Sequence, residues 1–385
     1  MYRTASRLTL VLAALMLTLI QSPSVTRAQT SEVTTPEETG PFTCISHFGV
    51  GEIRALKCER FSGRSVNISI GQLSATVADK EVTDIRLVSD NSPDEPFDLS
   101  PLAGADHIRS LNIYREGDLD LTPLLSMAGL KSLSLSIDAA RALPQLAQDG
   151  AQGPKGLVGL RLYIPRDTVD LTPLRDWDAL RLLNIKATAV TGTKALATLT
   201  RLSNVTIEIK EPADFTPLGS ATGLRQLSLR GVLGGQAVSD IGFLANLTDL
   251  RSLALYSNRI TDLAPLSNLT KLRTLILSKN TALEDLAPLE RLTDLRNLQL
   301  RQTRVTDITP LHDMSALRIL WISGTPLSDI SVLANMPEMF GLELTRTNVS
   351  DLTPLEGLKN LQHLNVKGAQ VSDFSAVPDG VKIRK

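Results

Sequence analysis

The sequence has 385 residues, of which 42% are hydrophobic and 4% aromatic, and its 40 basic and 41 acidic side chains give a net charge of −1. This balance argues against a general nucleic-acid binder or a binder of anionic membranes, because either would carry a large positive charge. The length alone would allow two or three globular domains, but the chain is internally repetitive, and a stacked array grows without splitting into domains.

The first 28 residues have the three parts of an export signal. Arg3 and Arg7 precede an apolar run from Leu8 to Ile20, and the stretch ends in Thr26-Arg27-Ala28, which is typical of a cleavage site. The apolar run is too short for a spanning helix. We therefore predict a signal peptide over 1–28, no membrane span, and a protein that is periplasmic or secreted. The removed segment holds three arginines and no acid, so the mature chain has 37 basic and 41 acidic residues and a charge of −4.

A polar segment and a pair of cysteines come next. Residues 29–40 are rich in Thr and Glu, which indicates a flexible linker. Cys44 and Cys58 follow, and an even pair in an exported protein favours a disulfide, which would stabilise by about 3 kcal/mol for a loop of about 15 residues. A metal or redox pair is the alternative. We interpret residues 41–81 as an N-terminal cap, since the end unit of a stack lacks one neighbour.

From residue 82 onward the chain repeats about every 22 residues. The unit is L-R-x-L-x-L-x-x-N/T-x-V/I-S/T-D-I/L-x-P-L-x-x-L-x-x, and we count its positions from the first leucine, which is Leu250 in the clearest copy. An L-x-x-L-x-L core with this period is typical of leucine-rich repeats, which bury their apolar face only by stacking. We predict an α/β repeat solenoid over 82–385, right-handed and curved, with a parallel β-sheet on the concave face, short helical turns on the convex face and a short C-terminal cap.

Thirteen strands can be counted from the apolar residue at position 4. Their predicted centres are Ile85, Leu111, Leu133, Leu160, Leu183, Val205, Leu227, Leu253, Leu275, Leu298, Leu320, Leu342 and Leu364. Three spacings are longer than the rest, after Leu87, around 148–156 and at 231–236. The extra residues contain Gly or Pro, so we expect surface loops there.

Two polar positions of the unit are explained by local turns. An Asp at position 13 would accept hydrogen bonds from the backbone of the following short helical turn, and a row of calcium-binding carboxylates is the alternative. These residues are Asp98, Asp120, Asp170, Asp214, Asp240, Asp262, Asp285, Asp307, Asp329, Asp351 and Asp373. Position 9 holds Asn258 and Asn280, and then Thr303, Thr325 and Thr347, whose side chains can satisfy turn backbone groups.

The segment from Asn246 to Leu266 (NLTDLRSLALYSNRITDLAPL) resembles the 22-residue repeat of the bacterial internalin family. The resemblance covers about Val82 to Ile383. Internalins are exported proteins that bind a protein partner through the concave face, so the resemblance implies this fold and this mode of binding. The usual internalin modules, namely an immunoglobulin-like domain, a cell-wall sorting motif and a basic attachment module, are lacking in the sequence. A role in host-cell invasion is therefore not implied.

Residues that could carry catalysis do not fall at related repeat positions. His47, His107, His312 and His363 are scattered along the array, and no nucleophile motif or Cys/His pair occurs within the repeats. We predict that the protein is not an enzyme and that it holds no metal and no cofactor.

Positions 3, 5, 7 and 8 are expected to face the concave surface, because strand side chains alternate. Large rings beside charges on such a surface are typical of a protein-interaction hot spot. The predicted partner-binding residues are Tyr114, Tyr163, Tyr256, Ile276, Arg301, Trp321, Glu343 and Arg346. The alternative is that the tyrosines recur at position 7 by chance and that Trp321 covers a neighbouring side chain.

Arginine recurs at position 2, which predicts a continuous row because adjacent strands lie about 4.8 Å apart. We call this row the basic ridge; it consists of Arg225, Arg251, Arg273, Arg296 and Arg318. The ridge could bind an acidic glycan or an envelope polymer, or it could be a solvated stripe whose side-chain stems cover apolar surface. The sequence favours an exported monomer that binds a protein ligand through its concave face, with an anionic-polymer binder and a passive envelope scaffold as alternatives.

Overall fold

The computed structural model describes only part of the chain. The described backbone comprises residues 43–49, 52–59, 66–70, 73–78, 81–88, 99, 102–106, 108–114, 119–136, 143–150, 154, 156–232 and 237–385. Side chains are described within these ranges from residue 99 onward, except at 148–150. The predicted signal peptide and linker, together with Asp98 and His107, lie outside the described residues. No helix among the described residues is long and apolar enough to cross a membrane.

The chain divides into two compact units, Met1–Ile164 and Pro165–Lys385. In the first unit, β1 pairs with β2 in an antiparallel ladder, β3, β4 and β5 form an antiparallel meander, and β5 to β8 are parallel. Strand β8 contains the boundary between the units. The strands are β1 (Thr43–Gly49), β2 (Glu52–Glu59), β3 (Val66–Ile70), β4 (Leu73–Ala78), β5 (Glu81–Val88), β6 (Ser110–Tyr114), β7 (Ser132–Ser136) and β8 (Gly159–Asp170).

The second unit contains ten further strands, each parallel to the next in chain order. The first three are longer than the others, which have three residues each. They are β9 (Leu182–Thr191), β10 (Asn204–Ile209), β11 (Gln226–Gly231), β12 (Ser252–Ala254), β13 (Thr274–Ile276), β14 (Asn297–Gln299), β15 (Ile319–Trp321), β16 (Gly341–Glu343), β17 (His363–Asn365) and β18 (Lys382–Arg384).

The register of the parallel strands follows the leucine pattern of the sequence. In the first unit Ile85 lies opposite Leu111, Leu111 opposite Leu133, and Leu133 opposite Leu160. In the second unit the predicted centres from Leu183 to Leu364 pair in the same way. Every centre with a described side chain is at most 2% exposed. The leucine-rich-repeat fold and its register are therefore confirmed.

Short 3₁₀ helices follow the strands. Most begin with the Thr-Pro-Leu or Ala-Pro-Leu of the repeat, where proline needs no donor because the first N–H groups of a helix have no partner within it. The following leucine is buried, as Leu266 and Leu311 are. Within the described residues these helices are Thr122–Ser126, Leu143–Gly150, Thr172–Leu174, Thr193–Thr198, Thr216–Ser220, Gly242–Asn246, Ala264–Leu266, Ala287–Leu289, Thr309–Leu311, Ser331–Asn335 and Thr353–Leu355.

The aspartates of position 13 stabilise the start of these turns. The Oδ1 atom of Asp262 accepts a hydrogen bond from the backbone N–H of Ala264 at 2.8 Å. The same bond, to the N–H two residues on, is made by each of the other described members of the set, from Asp120 to Asp373. Each bond forms an Asx turn, and the aspartates from Asp120 to Asp351 lie two residues before the first residue of a short helix, so these carboxylates bind the backbone of their own repeats.

Candidate binding surface on the strand face

We define the strand face as the surface formed by positions 3, 5, 7 and 8 of the repeats in the second unit. Position 5 forms one row across strands β12 to β17, in which Ile276 pairs with Gln299, Gln299 with Trp321, and Trp321 with Glu343. All four side chains are half-buried. The row therefore places an aliphatic, an amide, an aromatic and a carboxylate side chain side by side.

Arg301, Trp321 and Glu343 form one connected cluster on this face. The guanidinium carbon of Arg301 lies 4.0 Å from the centre of the Trp321 ring, and its Nη2 donates to Oε2 of Glu343, two strands away. Ser323 Oγ donates to the other carboxylate oxygen at 2.7 Å. The guanidinium is thus held by a cation–π contact and an ion pair together, which limits the conformations of all three side chains.

The burial of this cluster gives its charges more weight than an ordinary surface pair. The side chain of Glu343 is 19% exposed and that of Arg301 is 38% exposed. Fully exposed ion pairs contribute about 0–1 kcal/mol, because water and salt screen them. Partial burial weakens this screening, and the ring of Trp321 shields one side of the guanidinium from water.

A second cation lies over a second ring. Nζ of Lys279 is 5.2 Å from the centre of the Tyr256 ring, within the range of a cation–π contact. Lys279 is at position 8 and Tyr256 is at position 7 of the preceding repeat. Each of the two large rings of this face therefore carries a cationic side chain on one side.

Position 8 has a left-handed backbone in every repeat from β12 to β17, with φ between 55° and 71°. Gly324 and Gly368 adopt this conformation at no steric cost, whereas Ser257, Lys279, Gln302 and Arg346 adopt it despite their side chains. The turn directs the chain away from the strand at the edge of the sheet. It places Lys279, Gln302 and Arg346 around one depression.

The depression has a volume of about 380 Å³. Four of its lining side chains are cationic, and none is acidic. Its lining consists of Tyr256, Ser278, Lys279, Gln299, Arg301, Gln302, Ser323, Gly324, Thr345, Arg346 and Lys367.

The structure brings together some of the predicted partner-binding residues. Tyr256, Arg301 and Arg346 line the depression, and Trp321 and Glu343 contact Arg301. Ile276 lies two strands from Trp321 in the position 5 row. Tyr114 and Tyr163 belong to the first unit, where they are 37% and 48% exposed.

The basic ridge is an exposed row at the N-terminal ends of the strands, where each arginine directly precedes the first strand residue. Each of its arginines from Arg251 to Arg318 donates its backbone N–H to the carbonyl of the ridge arginine in the preceding repeat, at 2.8–2.9 Å. All five side chains are exposed. Asp249 forms an ion pair with Lys271 at 2.5 Å, and this hydrogen bond, aided by Arg225 and Arg251, lowers the pKa of the Asp249 carboxyl.

A separate ion-pair cluster occupies position 7 of the longer strands. Glu208 in β10 lies 3.5 Å from Nζ of Lys186 in β9 and 3.3 Å from Nη1 of Arg230 in β11. The carboxylate therefore lies between two cations on neighbouring strands. This part of the strand face is internally neutralised to a greater degree than the lining of the depression.

The lining residues that were not predicted from the sequence are Ser278, Lys279, Gln299, Gln302, Ser323, Gly324, Thr345 and Lys367. Most of them occupy positions 7 and 8. From Lys279 to Lys367 these two positions hold three cationic residues besides Arg301 and no acidic residue, and counting the charge there would have revealed the excess of positive charge. The aromatic residues and the position 2 arginines are more conspicuous in the sequence. The prediction from sequence therefore gave them more weight than the polar residues at positions 7 and 8.

The two histidines whose side chains are described, His312 and His363, have local structural contacts. His312 Nε2 lies 3.1 Å from Oδ2 of Asp313, and the His363 ring packs edge-to-face on Phe340 with 5.4 Å between the ring centres. Among the residues whose side chains are described, no group of three or more His, Cys, Asp or Glu is arranged to hold a metal ion.

Comparison with known proteins agrees with the repeat architecture. Residues 248–291 match the family described as Leucine Rich repeats (2 copies). No curated protein sequence matches the chain.

Several solved structures have a similar fold. An internalin (inlF) from Listeria monocytogenes superposes with a TM-score of 0.63 at 24% identity, over 78% of this chain and 86% of that chain. A leucine-rich-repeat protein of Leptospira interrogans gives a TM-score of 0.54 at 16% identity, over 75% and 85%. The ectodomain of the plant receptor kinase GASSHO1/SCHENGEN3 from Arabidopsis thaliana gives 0.53 at 20% identity, over 70% and 34%.

At these identities the comparisons establish the fold. They agree with the strand register and the 3₁₀ turns, and they confirm at that level the resemblance seen in the repeat of residues 246–266. The chain therefore has a leucine-rich-repeat fold similar to that of the internalin (inlF).

Proposed function

We propose that the protein is exported and that it binds a protein partner through the strand face of its second unit. The cluster of Arg301, Trp321 and Glu343 is the observation that carries this proposal. A leucine-rich-repeat fold acts as a scaffold that displays an extended surface, so its function depends on the side chains that this surface presents. The GASSHO1/SCHENGEN3 ectodomain, which has this fold, was solved in complex with CASPARIAN STRIP INTEGRITY FACTOR 2.

The cluster has the composition and the rigidity of an interaction hot spot. Tryptophan, tyrosine and arginine are the residues that most often dominate protein–protein binding energy. Arg301 and Trp321 are already held against each other and against Glu343, so a partner would not have to immobilise them. Tyr256 and Arg346 extend the same surface around the depression.

Export is supported by the signal-like sequence of 1–28 and by the two cysteines. The backbone register of β1 and β2 places Cys44 directly opposite Cys58. Opposed residues of an antiparallel pair have Cα atoms about 4.5–5.5 Å apart, which lies within the range that a disulfide spans. We expect reduction to lower the melting temperature of the purified protein, and detection of free thiols in the native protein would contradict the bond.

The proposed binding surface can be tested with single substitutions. The protein would serve as bait for capture from envelope extract, and the captured partner would be purified and its dissociation constant measured. We expect Trp321→Ala to weaken binding by about tenfold or more, because a central aromatic anchor often contributes over about 2 kcal/mol. The melting temperature should remain nearly unchanged.

Arg273→Ala on the basic ridge is the control. We expect it to weaken binding by about threefold at physiological salt, as for an exposed charge at the rim. Capture of a protein does not by itself support the proposal; the ranking of the two variants does. If Arg273→Ala is the more damaging change, the proposal of strand-face binding is rejected in favour of the alternative, binding through the basic ridge.

A further inference from the structure

We propose that the depression in the strand face is an anion-binding site that receives an acidic segment of the protein partner. This inference rests on the proposed function and specifies the chemistry of what is bound. The depression lies at the edge of strands β12 to β17, beside the cluster of Arg301, Trp321 and Glu343.

The lining of the depression is positively charged. Lys279, Arg301, Arg346 and Lys367 line the depression together with hydroxyl and amide groups, and its lining contains no carboxylate. Glu343 compensates one of these charges, because its two oxygens are bound by Arg301 and Ser323. The other three cationic side chains all contribute to the lining of one concave space, where the protein walls weaken the screening by water.

Two residues that line the depression also have polar atoms without hydrogen-bond partners. Nε of Arg301 and Oγ1 of Thr345 are both buried, and neither has a hydrogen-bond partner within the protein. Both residues line the depression, and a buried donor without a partner is costly, so a ligand acceptor admitted beside these atoms would stabilise the site. A carboxylate is an acceptor with two oxygens, and it complements an arginine N–H and a hydroxyl.

The aromatic rings favour a peptide over a polysaccharide. Sugar rings are commonly held by stacking on open aromatic faces. Here one face of Trp321 is covered by Arg301, and Lys279 lies over the ring of Tyr256. The rings therefore orient the cations, which are the charged groups that the depression offers to a ligand.

The backbone conformation at position 8 also shapes the rim of the depression. Lys279 and Arg346 have φ values of 64° and 55°, a region that favours glycine, and Gly324 and Gly368 occupy the equivalent position in the repeats that follow Gln302 and Arg346. The glycines leave room beside them, since a Cβ at Gly324 would meet Gln302 Cγ, and one at Gly368 would meet Arg346 Cγ, only at 3.5 Å. From Gln302 to Gly368, long polar side chains thus alternate with glycine along the rim of the depression.

The spacing defines the length of the ligand. Lys279 and Lys367 belong to repeats that are four strands apart, a distance of roughly 19 Å at about 4.8 Å per strand. An extended peptide rises about 3.3 Å per residue, so about six residues would span the cations. Each exposed pair contributes little alone, which means that a run of several acidic residues is needed.

The test uses a fluorescein-labelled oligoglutamate peptide of about eight residues, with an uncharged peptide of the same length as a reference. We expect the full-length protein to bind oligoglutamate and not the reference, and the affinity to fall as salt rises from about 0.05 M to about 0.5 M. The double substitution of Arg346→Gln and Lys367→Gln should weaken binding by about tenfold.

A matched control separates the site from the overall charge. Arg273→Gln with Arg296→Gln removes the same charge from the basic ridge and should change the affinity by less than about twofold. The inference is overturned if oligoglutamate does not bind, if the ridge pair has the larger effect, or if polygalacturonate displaces the peptide at lower concentrations of charge. Failure in this assay with a retained Trp321→Ala effect on the partner rejects the acidic ligand alone, whereas loss of that effect rejects the proposed function.

Discussion

The repeats that carry Asn at position 9 and those that carry Thr are tied to their neighbours in different ways. Asn280 is fully buried, and its carboxamide reaches into the preceding repeat: Oδ1 accepts from the N–H of Ile260 at 2.9 Å, and Nδ2 donates to the carbonyl of Leu255 at 2.9 Å. Asn258 makes the corresponding bonds to Ala237, Val238 and Leu229. In these repeats a buried side chain joins two units of the stack.

Threonine at the same position bonds only within its own repeat. Thr303 Oγ1 donates to the carbonyl of Leu300 at 2.8 Å, and Thr325 and Thr347 do the same three residues back. The link to the preceding repeat is made by the backbone, since the N–H of Arg304 donates to the carbonyl of Leu283, and that of Asn348 to the carbonyl of Leu327, both at 2.8 Å. Pro326 has no N–H to offer in the repeat of Thr325.

The difference shows that the register between repeats does not require one particular side chain. Where the shorter threonine cannot span the gap, the next residue in the chain provides a backbone donor. The repeat therefore tolerates the exchange of Asn for Thr at position 9, from Thr303 onward. The Asn repeats should depend more strongly on the buried side chain, because several backbone groups have it as their partner.

The largest expected effect is that of Asn280→Ala. Loss of the carboxamide leaves the N–H of Ile260 and the carbonyls of Leu255 and Leu277 without this partner in a buried site. Each buried group left unsatisfied costs about 1–3 kcal/mol, so we expect a loss of about 3 kcal/mol or more. The midpoint of urea unfolding, followed by circular dichroism, would measure it.

Thr303→Ala is the matched change in the other region. It removes one hydrogen bond to Leu300, while the backbone bond from Arg304 to Leu283 remains. We expect a loss of about 1 kcal/mol, the usual net contribution of one hydrogen bond. Equal shifts for the two variants would show that the Asn and Thr repeats are linked with equal strength and would refute the comparison.

The sequence was sufficient to predict the fold because each repeat buries the same positions. Leu253, Leu275 and Leu298 lie in register in adjacent strands, as their spacing of 22 or 23 residues required. Each apolar position has a single available environment, the interior of the stack, so the periodicity alone determines the register. The role of Asp262 was also predictable, because its carboxylate accepts from the N–H of Ala264, only two residues further along the chain.

The binding surface could be predicted only in part. The row of position 5 residues follows from the strand register, which brought Trp321 beside Glu343. The reach of Arg301 over Trp321 to Glu343 depends on side-chain conformation and joins residues 42 positions apart. The backbone bond from Arg304 to Leu283 has no sequence signal, because any residue other than proline can donate it.

The smallest expected effect is a difference in acid sensitivity between the Thr repeats and the Asn repeats. Asp307 accepts hydrogen bonds from both the hydroxyl and the backbone N–H of Thr309, and the hydroxyl bond is the main cause of its lowered pKa. Thr353 has the same effect on the pKa of Asp351. In the Asn280 and Asn258 repeats the residue at this place is alanine, and Asp262 and Asp285 accept there from the backbone N–H of Ala264 and Ala287.

A carboxyl whose pKa is lower in the folded protein stabilises the fold above its unfolded pKa, and this contribution is lost as the pH falls through the folded value. The aspartates beside threonine should therefore make the Thr repeats sensitive to acid below the ordinary value of 3.8. Thr309→Ala copies the arrangement of the Asn repeats at one of these sites. We expect the melting temperature of the variant to lie slightly below that of the wild type near neutral pH, and the gap to close as the pH falls from about 5 to about 2.5. A gap that stays constant over this range would mean that the threonine hydroxyl acts without involving the charge of Asp307.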